Sequence, residues 1–353
     1  MKIGFVGLGK LGLPVALAVE SKGHKVYGYD IKKEISDQIK NRKINYKEKH
    51  ANDLLKKTTI EIVQLKKLIK LSDIIFVPIQ TPHDKKYEGI NDIPKTRKDF
   101  NYAYLKKGIK MIASELKKIK KKKIVIIIST VLPGTIRKNI LPVTNKYTQI
   151  GYNPFFIAMG TTIDDFLYSE IILFGSDNKF VSEKAKNFYR TVTNSPFFET
   201  TIENAELIKV VYNTYISTKI AFINSITEMC HKLPNTSIDE VTRALSLSTK
   251  RIISSSYLRG GMGDGGGCHP RDNIAMSYLA KKHNVSFNIF EAIMLQRQKY
   301  NHWLADLCLK HANKNPILIL GKSFKPETNI ITGSPSIYLY NCLLYTSPSP
   351  RDR

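Results

Sequence analysis

The chain has 353 residues, 42% of them hydrophobic, which is enough for two or three compact units and excludes global disorder. A formal net charge of +25 favours anionic partners, yet the lysines are spread along the whole chain rather than gathered in one block. The four cysteines, Cys230, Cys268, Cys308 and Cys342, have no CxxC or CxxH spacing, so neither a zinc site nor a disulfide framework is expected.

From the start, the apolar stretch Ile3 to Val19 is broken by Gly7, Gly9, Lys10, Gly12 and Pro14. That pattern predicts a strand and a glycine-rich turn, not the uninterrupted apolar core of an export signal, and the cytoplasm is the expected address. No apolar run reaches the ~20 residues that cross a bilayer, so no membrane association is expected. Short β-branched runs follow at Lys25–Tyr29, Ile74–Val77 and Ile124–Ile128, alternating with helical or loop segments. This alternation predicts a parallel doubly wound α/β sheet, which Ile171–Phe174 and Pro196–Glu199 complete. The densest basic run, Lys117 to Lys123, precedes the Ile124 strand and reads as a solvated helix end, so nucleic acid is not an expected partner.

From Glu203 to His231 there is no Pro or Gly, and Leu207, Val210, Val211, Ile220, Ile223 and Ile226 recur at helical spacing. One helix of about seven or eight turns is predicted, roughly 40 Å long, suited to a connector or a dimer interface. A glycine-rich stretch, Gly260–Gly267, interrupts the helical sequence beyond it. Pro316–Leu320 reads as a buried strand opening another α/β domain, which the remaining sequence is too short to complete. Cys342–Arg353 departs from the preceding pattern and reads as a non-native tail. The expected organisation is thus a dinucleotide-binding domain at 1–200, a central helical domain at 201–312, the start of a truncated C-terminal domain at 313–341, and the tail at 342–353.

Gly7-Leu8-Gly9-Lys10-Leu11-Gly12 is a G-x-G-x-x-G placed between a predicted strand and a predicted helix. Gly7 allows a tight turn, Gly9 lets backbone approach a pyrophosphate, and Gly12 lets the helix pack on the sheet, with free N–H groups at the helix start. Asp30 ends the second strand, where a carboxylate can hold ribose hydroxyls and repel a 2′-phosphate. NAD is therefore the expected cofactor, although Lys32 and Lys33 leave NADP open.

Cys268 ends the run Gly263-Asp264-Gly265-Gly266-Gly267, and each glycine costs conformational entropy on ordering, so the run is expected to lie against a ligand. A thiol is a strong nucleophile once a cation favours the thiolate, and His269, Arg271 and Lys209 are candidates for that cation. Lys209 and Asn213 are four residues apart and share a helical face, where they could stabilise an oxyanion; a solvated pair is the plainer reading of the spacing alone.

In order along the chain, these residues resemble the UDP-glucose/GDP-mannose dehydrogenase family. The likeness runs over about residues 1–340 through the Gly7–Gly12 loop with Asp30, Thr81-Pro82, Ser129-Thr130-Val131-Leu132-Pro133-Gly134-Thr135 and Asn153-Pro154. It continues through Lys209 with Asn213, Gly266-Gly267-Cys268 with Asp272, and Gly321-Lys322-Ser323-Phe324-Lys325 with Thr328 and Ser334-Pro335. The resemblance implies a Rossmann-like first domain and a four-electron oxidation of a UDP-sugar, or another nucleotide sugar, by a homodimer using two NAD+. It further implies that Cys268 captures the aldehyde, Lys209 and Asn213 stabilise the oxyanion, Asp272 orders lysine and water, and Thr130 binds the catalytic water. Gly7, Gly9, Lys10, Leu11, Gly12, Asp30, Thr81, Pro82 and Thr130 would hold the cofactor. Gly266, Gly267, Arg271, Phe324 and Lys325 would join Lys209 and Asn213 on the substrate. Three departures stand out: Phe155 and Met159 replace two glutamates, Arg271 replaces a lysine, and Gly333 replaces an arginine. A two-electron hydroxyacid dehydrogenase of the 6-phosphogluconate type, or a catalytically impaired NAD-binding relic, is the alternative; the first leaves the Cys268 loop without a use.

Overall fold

The structure, a computed structural model, describes residues 1–232, 234–249, 261–282 and 288–346. They fall into two compact units, Met1–Pro82 with Phe100–Lys209, and His83–Asp99 with Val210–Arg353.

The first unit is built on one eight-stranded sheet. Its strands are β1 (Lys2–Val6), β2 (Lys25–Tyr29), β3 (Glu61–Ile62), β4 (Ile74–Val77), β5 (Lys123–Ile127), β6 (Thr148–Tyr152), β7 (Ile172–Gly175) and β8 (Phe197–Thr200). They lie in the order β3-β2-β1-β4-β5-β6-β7-β8. All neighbours are parallel except β6 and β7, which pair antiparallel through Tyr152 and Gly175. The helices of this unit are α1 (Gly12–Ser21), α2 (Lys33–Lys40), α3 (Ala51–Lys57), α4 (Leu65–Leu71), α5 (Ala103–Ile119), α6 (Thr162–Leu167) and α7 (Lys179–Tyr189). The boundary with the second unit falls inside α8 (Ile202–Lys232).

Because successive strand residues point to opposite faces, the continuous apolar runs divide between two cores. Ile74, Phe76, Ile124 and Ile126 join the core that α1, α3, α6 and α7 cover. Ile75, Val77, Val125 and Ile127 join the one under α4, α5 and the first turns of α8. A strand buried on both faces needs no polar alternation, which is why these runs are legible as strands. Two strands escaped prediction: β3 has only two residues, and β6 begins Thr148-Gln149 and contains Gly151. That glycine is required, since a Cβ there would come within 2.5 Å of the Phe174 ring.

In the second unit, α9 (Ile238–Ser246), α10 (His269–Lys282), α11 (Ile289–Ala312) and α12 (Pro335–Thr346) follow α8. The segment His83–Asp99 joins this unit, with Tyr87 packed on Ile274 of α10 and Met294 of α11. The long helix expected over Glu203–His231 is present as α8. The buried strand expected at Pro316–Leu320 is not: these residues form no strand, and Leu318 and Leu320 are 81% and 85% exposed. An isolated extended segment has no neighbour to take up its N–H and C=O groups, so apolar sequence alone does not make it a strand. The tail boundary also shifts, because α12 continues through Thr346 and Cys342 is buried against Ala305. Gly260 and residues 347–353 lie outside the described residues. Among those described, no helix is long and apolar enough to cross a membrane.

The Phe76 ring is fully buried, stacks on Phe5 with centres 5.3 Å apart, and meets the tilted Phe188 ring at 5.4 Å. Replacing it by alanine removes the contact shared by β1, β4 and α7. Phe76→Ala is expected to destabilise the chain by about 3–5 kcal/mol, read as a lower denaturant midpoint with native-like strand content at zero denaturant.

Candidate active site

The parallel order places the carboxyl ends of β1, β4 and β5 side by side, and the sheet reverses direction of growth between β1 and β4, where such folds bind ligands. Gly7 follows β1 with φ +112°, a conformation open to glycine, and its N–H donates to the Tyr29 carbonyl at 2.8 Å. A Cβ at Gly12 would lie 2.2 Å from the Gly7 carbonyl oxygen, whereas one at Gly9 would meet nothing within 4 Å. Gly12 is therefore fixed by packing, and Gly9 leaves the loop surface open at the start of α1. A pyrophosphate fits that surface, where helix N–H groups and the helix dipole favour an anion. Asp30 accepts from the N–H of Leu8 at 2.8 Å and of Lys32 at 2.9 Å, so its carboxylate is held at the loop rather than free to swing. Lys32 and Lys33 are exposed.

Thr81 and Thr130 meet beyond β4 and β5: the buried Thr81 hydroxyl donates to the Thr130 carbonyl at 2.7 Å, and Pro82 follows, half-buried. The turn after Thr130 is tied down by Glu206, a residue the sequence reading passed over. Wholly buried in the first turns of α8, Glu206 accepts from the backbone N–H of Gly134 at 2.6 Å and of Ile136 at 2.8 Å. Burial pushes its carboxyl up to about 7, against the opposing pull of those two N–H groups. One turn later Lys209 is buried, with its ammonium 5.3 Å from the centre of the Phe156 ring. The plain reading of Lys209 as a solvated surface residue is thereby corrected. Phe155 turns the other way and packs on Phe166, with ring centres 5.3 Å apart. The two positions where the resemblance supplies glutamates are thus apolar, at the half-buried Phe155 and Met159.

In the second unit, Asn213, Arg271 and Asp272 are brought together. The Asp272 carboxylate, with no exposed surface, accepts from the Asn213 amide of α8 and from Arg271 Nε at 2.9 Å. Its own N–H donates to the Cys268 carbonyl at 2.8 Å, placing the half-buried Cys268 immediately before the first turn of α10. Negative charge that develops at this sulfur meets the positive end of the helix.

Two of the glycines before Cys268 are closely packed within the unit. Cβ atoms at Gly265 and Gly266 would come 2.8 Å from Pro335 Cδ and 3.1 Å from the Phe324 ring. Gly263 and Gly266 also have φ of +96° and +82°, which disfavours other residues. Gly267 is less crowded, its nearest neighbour being Thr332 at 3.6 Å. Lys325 sits beside Phe324, its ammonium 5.9 Å from the ring centre. Thr328 and Ser334 are buried in the same segment.

Two further groups were not singled out from sequence. Arg297 of α11 pairs with Asp264 at 2.6 Å, donates to the Gly89 carbonyl, and lies 5.0 Å from the centre of the Tyr338 ring. Among the described residues, the buried Nε2 of His83 has no hydrogen-bond partner. Burial lowers its pKa to about 4, aided by the Arg271 charge and opposed by Asp272 and Asp84. No spacing rule links Asp264 to Arg297, and a single histidine after Thr-Pro carries no motif.

The chain matches the model of the UDP-glucose/GDP-mannose dehydrogenase family NAD binding domain over residues 1–193 and that of the family's central domain over 203–297. It is 28% identical to a UDP-glucose 6-dehydrogenase of Rickettsia conorii, covering 98% of this chain and 78% of that one. It is 26% identical to a GDP-mannose 6-dehydrogenase of Pseudomonas aeruginosa, covering 98% and 79%. A solved UDP-glucose dehydrogenase from Pyrobaculum islandicum shares the fold with a TM-score of 0.86 at 21% identity, over 98% of this chain and 79% of that chain.

Two outcomes follow from this geometry. Gly12→Ala is expected to weaken NAD binding at least tenfold in a fluorescence titration, because the added methyl must displace the Gly7 carbonyl. Glu206 has a folded pKa raised above its unfolded value, so its contribution to stability is fully present below about 4.5 and is lost as pH rises through about 7. Thermal midpoints are expected to fall between pH 5 and 8 for this reason, and Glu206→Gln to flatten that part of the profile.

Proposed function

The chain belongs to the UDP-glucose/GDP-mannose dehydrogenase family, and from that membership we propose that it oxidises the primary alcohol of a UDP-sugar to the carboxylate through a thioester on Cys268. At the coarser level it is an NAD-dependent oxidoreductase acting on a nucleotide sugar. The observation that carries the finer reading is the buried Asn213–Asp272–Arg271 cluster, hydrogen-bonded to the carbonyl of the one cysteine that follows a glycine run.

Gly7, Gly9, Lys10, Leu11, Gly12 and Asp30, with Thr81, Pro82 and Thr130, hold the cofactor in this reading. NAD+ supplies the hydride acceptor for each of the two oxidations. Once the alcohol has become an aldehyde, the Cys268 sulfur bonds to its carbon and the carbonyl oxygen becomes an oxyanion. An aldehyde has no leaving group and reaches the acid level by hydride loss only after such an addition. The Lys209 ammonium and the Asn213 amide stabilise that oxyanion. Asp272 consumes one amide N–H of Asn213 and leaves the second for the oxyanion, with the amide's orientation set by the first bond. The adduct takes up a proton to become the thiohemiacetal, and removal of its hydride and hydroxyl proton leaves the thioester. Water then forms the new C–O bond as the C–S bond breaks, releasing the carboxylate and the thiol. Thr130 orders water, while Arg271, Gly266, Gly267, Phe324 and Lys325 contact the substrate. On α8, Leu207, Val211 and Tyr215 form an exposed stripe at four-residue spacing, which supports a homodimer through this helix.

Two NADH per sugar acid are expected when the chain is given NAD+ and UDP-glucose or related nucleotide sugars. Cys268→Ser is expected to abolish acid formation while leaving NAD affinity within about twofold. One NADH per sugar, or undiminished acid formation by the variant, overturns the covalent route.

A further inference from the structure

Hydrolysis of the thioester calls for a group that accepts a proton from water while the acyl carbon is attacked. The two carboxylates that flank Cys268 in sequence, Asp264 and Asp272, are already engaged. Each oxygen of Asp272 accepts a hydrogen bond, one from Asn213 and one from Arg271, and Asp264 is ion-paired with Arg297. The segment after Asn153 contributes Phe155 and Met159 in place of carboxylates.

We propose that His83 is the general base that takes the proton from the water hydrolysing the acyl–Cys268 thioester. The proposal rests on the covalent oxidation above and adds the residue that ends it. His83 Nε2 is buried and makes no hydrogen bond among the described residues, so a neutral ring protonated on Nδ1 has an unused lone pair there. Its segment is anchored to the helix that Cys268 precedes. Gly89 packs so tightly on Pro270 of α10 that a Cβ would come within 2.2 Å, its carbonyl accepts from Arg297, and Tyr87 packs on Ile274. The ring lies in the electrostatic field of both Arg271 and Asp272. Arg271 favours the neutral ring at rest, and Asp272 favours the imidazolium that forms as the proton moves. In the step, the water oxygen bonds to the acyl carbon, its proton passes to Nε2, the C–S electron pair returns to sulfur, and the imidazolium gives its proton to the thiolate.

Deacylation can be followed without the sugar. p-Nitrophenyl acetate acylates a reachable thiol, and mass spectrometry locates the acetyl group. On the full chain, His83→Gln and His83→Asn are expected to acetylate at Cys268 at the parent's rate and to lose the acetyl group about 100-fold more slowly, the lower end of the range for a general base. Added imidazole is expected to restore deacylation in His83→Gly, a rescue that a purely structural role does not produce. Deacylation at the parent's rate in His83→Gln overturns the assignment. So does a parent whose Cys268 is never acetylated, because a base serving that sulfur's acyl group requires the sulfur to be reachable. A parent that deacylates through His83 yet yields no NADH from any nucleotide sugar overturns the oxidation and leaves the base in place.

Discussion

A carboxylate removed from water needs donors in place of its lost hydration, and Asp272 obtains them from two sides. Asn213 reaches it from α8, and Arg271 reaches it from the neighbouring position of α10. The same residue's N–H grips the Cys268 carbonyl, so the thiol's backbone is set by the first turn of the helix that the carboxylate anchors. Arginine suits this position for a physical reason: its rigid planar fork donates to Asp272 from Nε, which an ammonium on a flexible stem does not reproduce.

Long interior side chains play a similar part at two segments without regular structure. Glu206 gathers the N–H groups of Gly134 and Ile136, and Arg297 gathers Asp264 and the Gly89 carbonyl. In both cases one long side chain from a helix replaces the ladder bonds that a loop does not have. Both are costly to break: removing Asp264 leaves the Arg297 charge buried and unpaired, and removing Glu206 leaves two backbone N–H groups without their acceptor. The glycine run before Cys268 belongs to the same economy of space, since Phe324 and Pro335 fill what side chains at Gly265 and Gly266 would occupy.

The two phenylalanines after Pro154 have different fates. Phe155 enters the core beneath α6 through Phe166, while Phe156 turns to the opposite core and lies beside the Lys209 ammonium. An aromatic face attracts a cation weakly and without fixing a proton, whereas a carboxylate does both.

Residue chemistry and local period were legible in the sequence. Continuous β-branched runs marked the central strands, because a strand buried on both faces has no polar alternation, and the Gly7–Gly12 spacing marked the turn, because Gly12 alone fits against the Gly7 carbonyl. The absence of Pro and Gly marked α8. Pairing was not legible. Pro316–Leu320 has strand composition and pairs with no strand among the described residues, and β6 is a strand despite a polar start. Asp264 meets Arg297 across 33 positions and Glu206 meets Gly134 across 72. Propensity is a property of neighbours along the chain, whereas an ion pair or a ladder bond depends on where two distant segments come to rest. The sequence by itself determined which groups were available and which elements would form around them; tertiary structure decided which of those groups became partners.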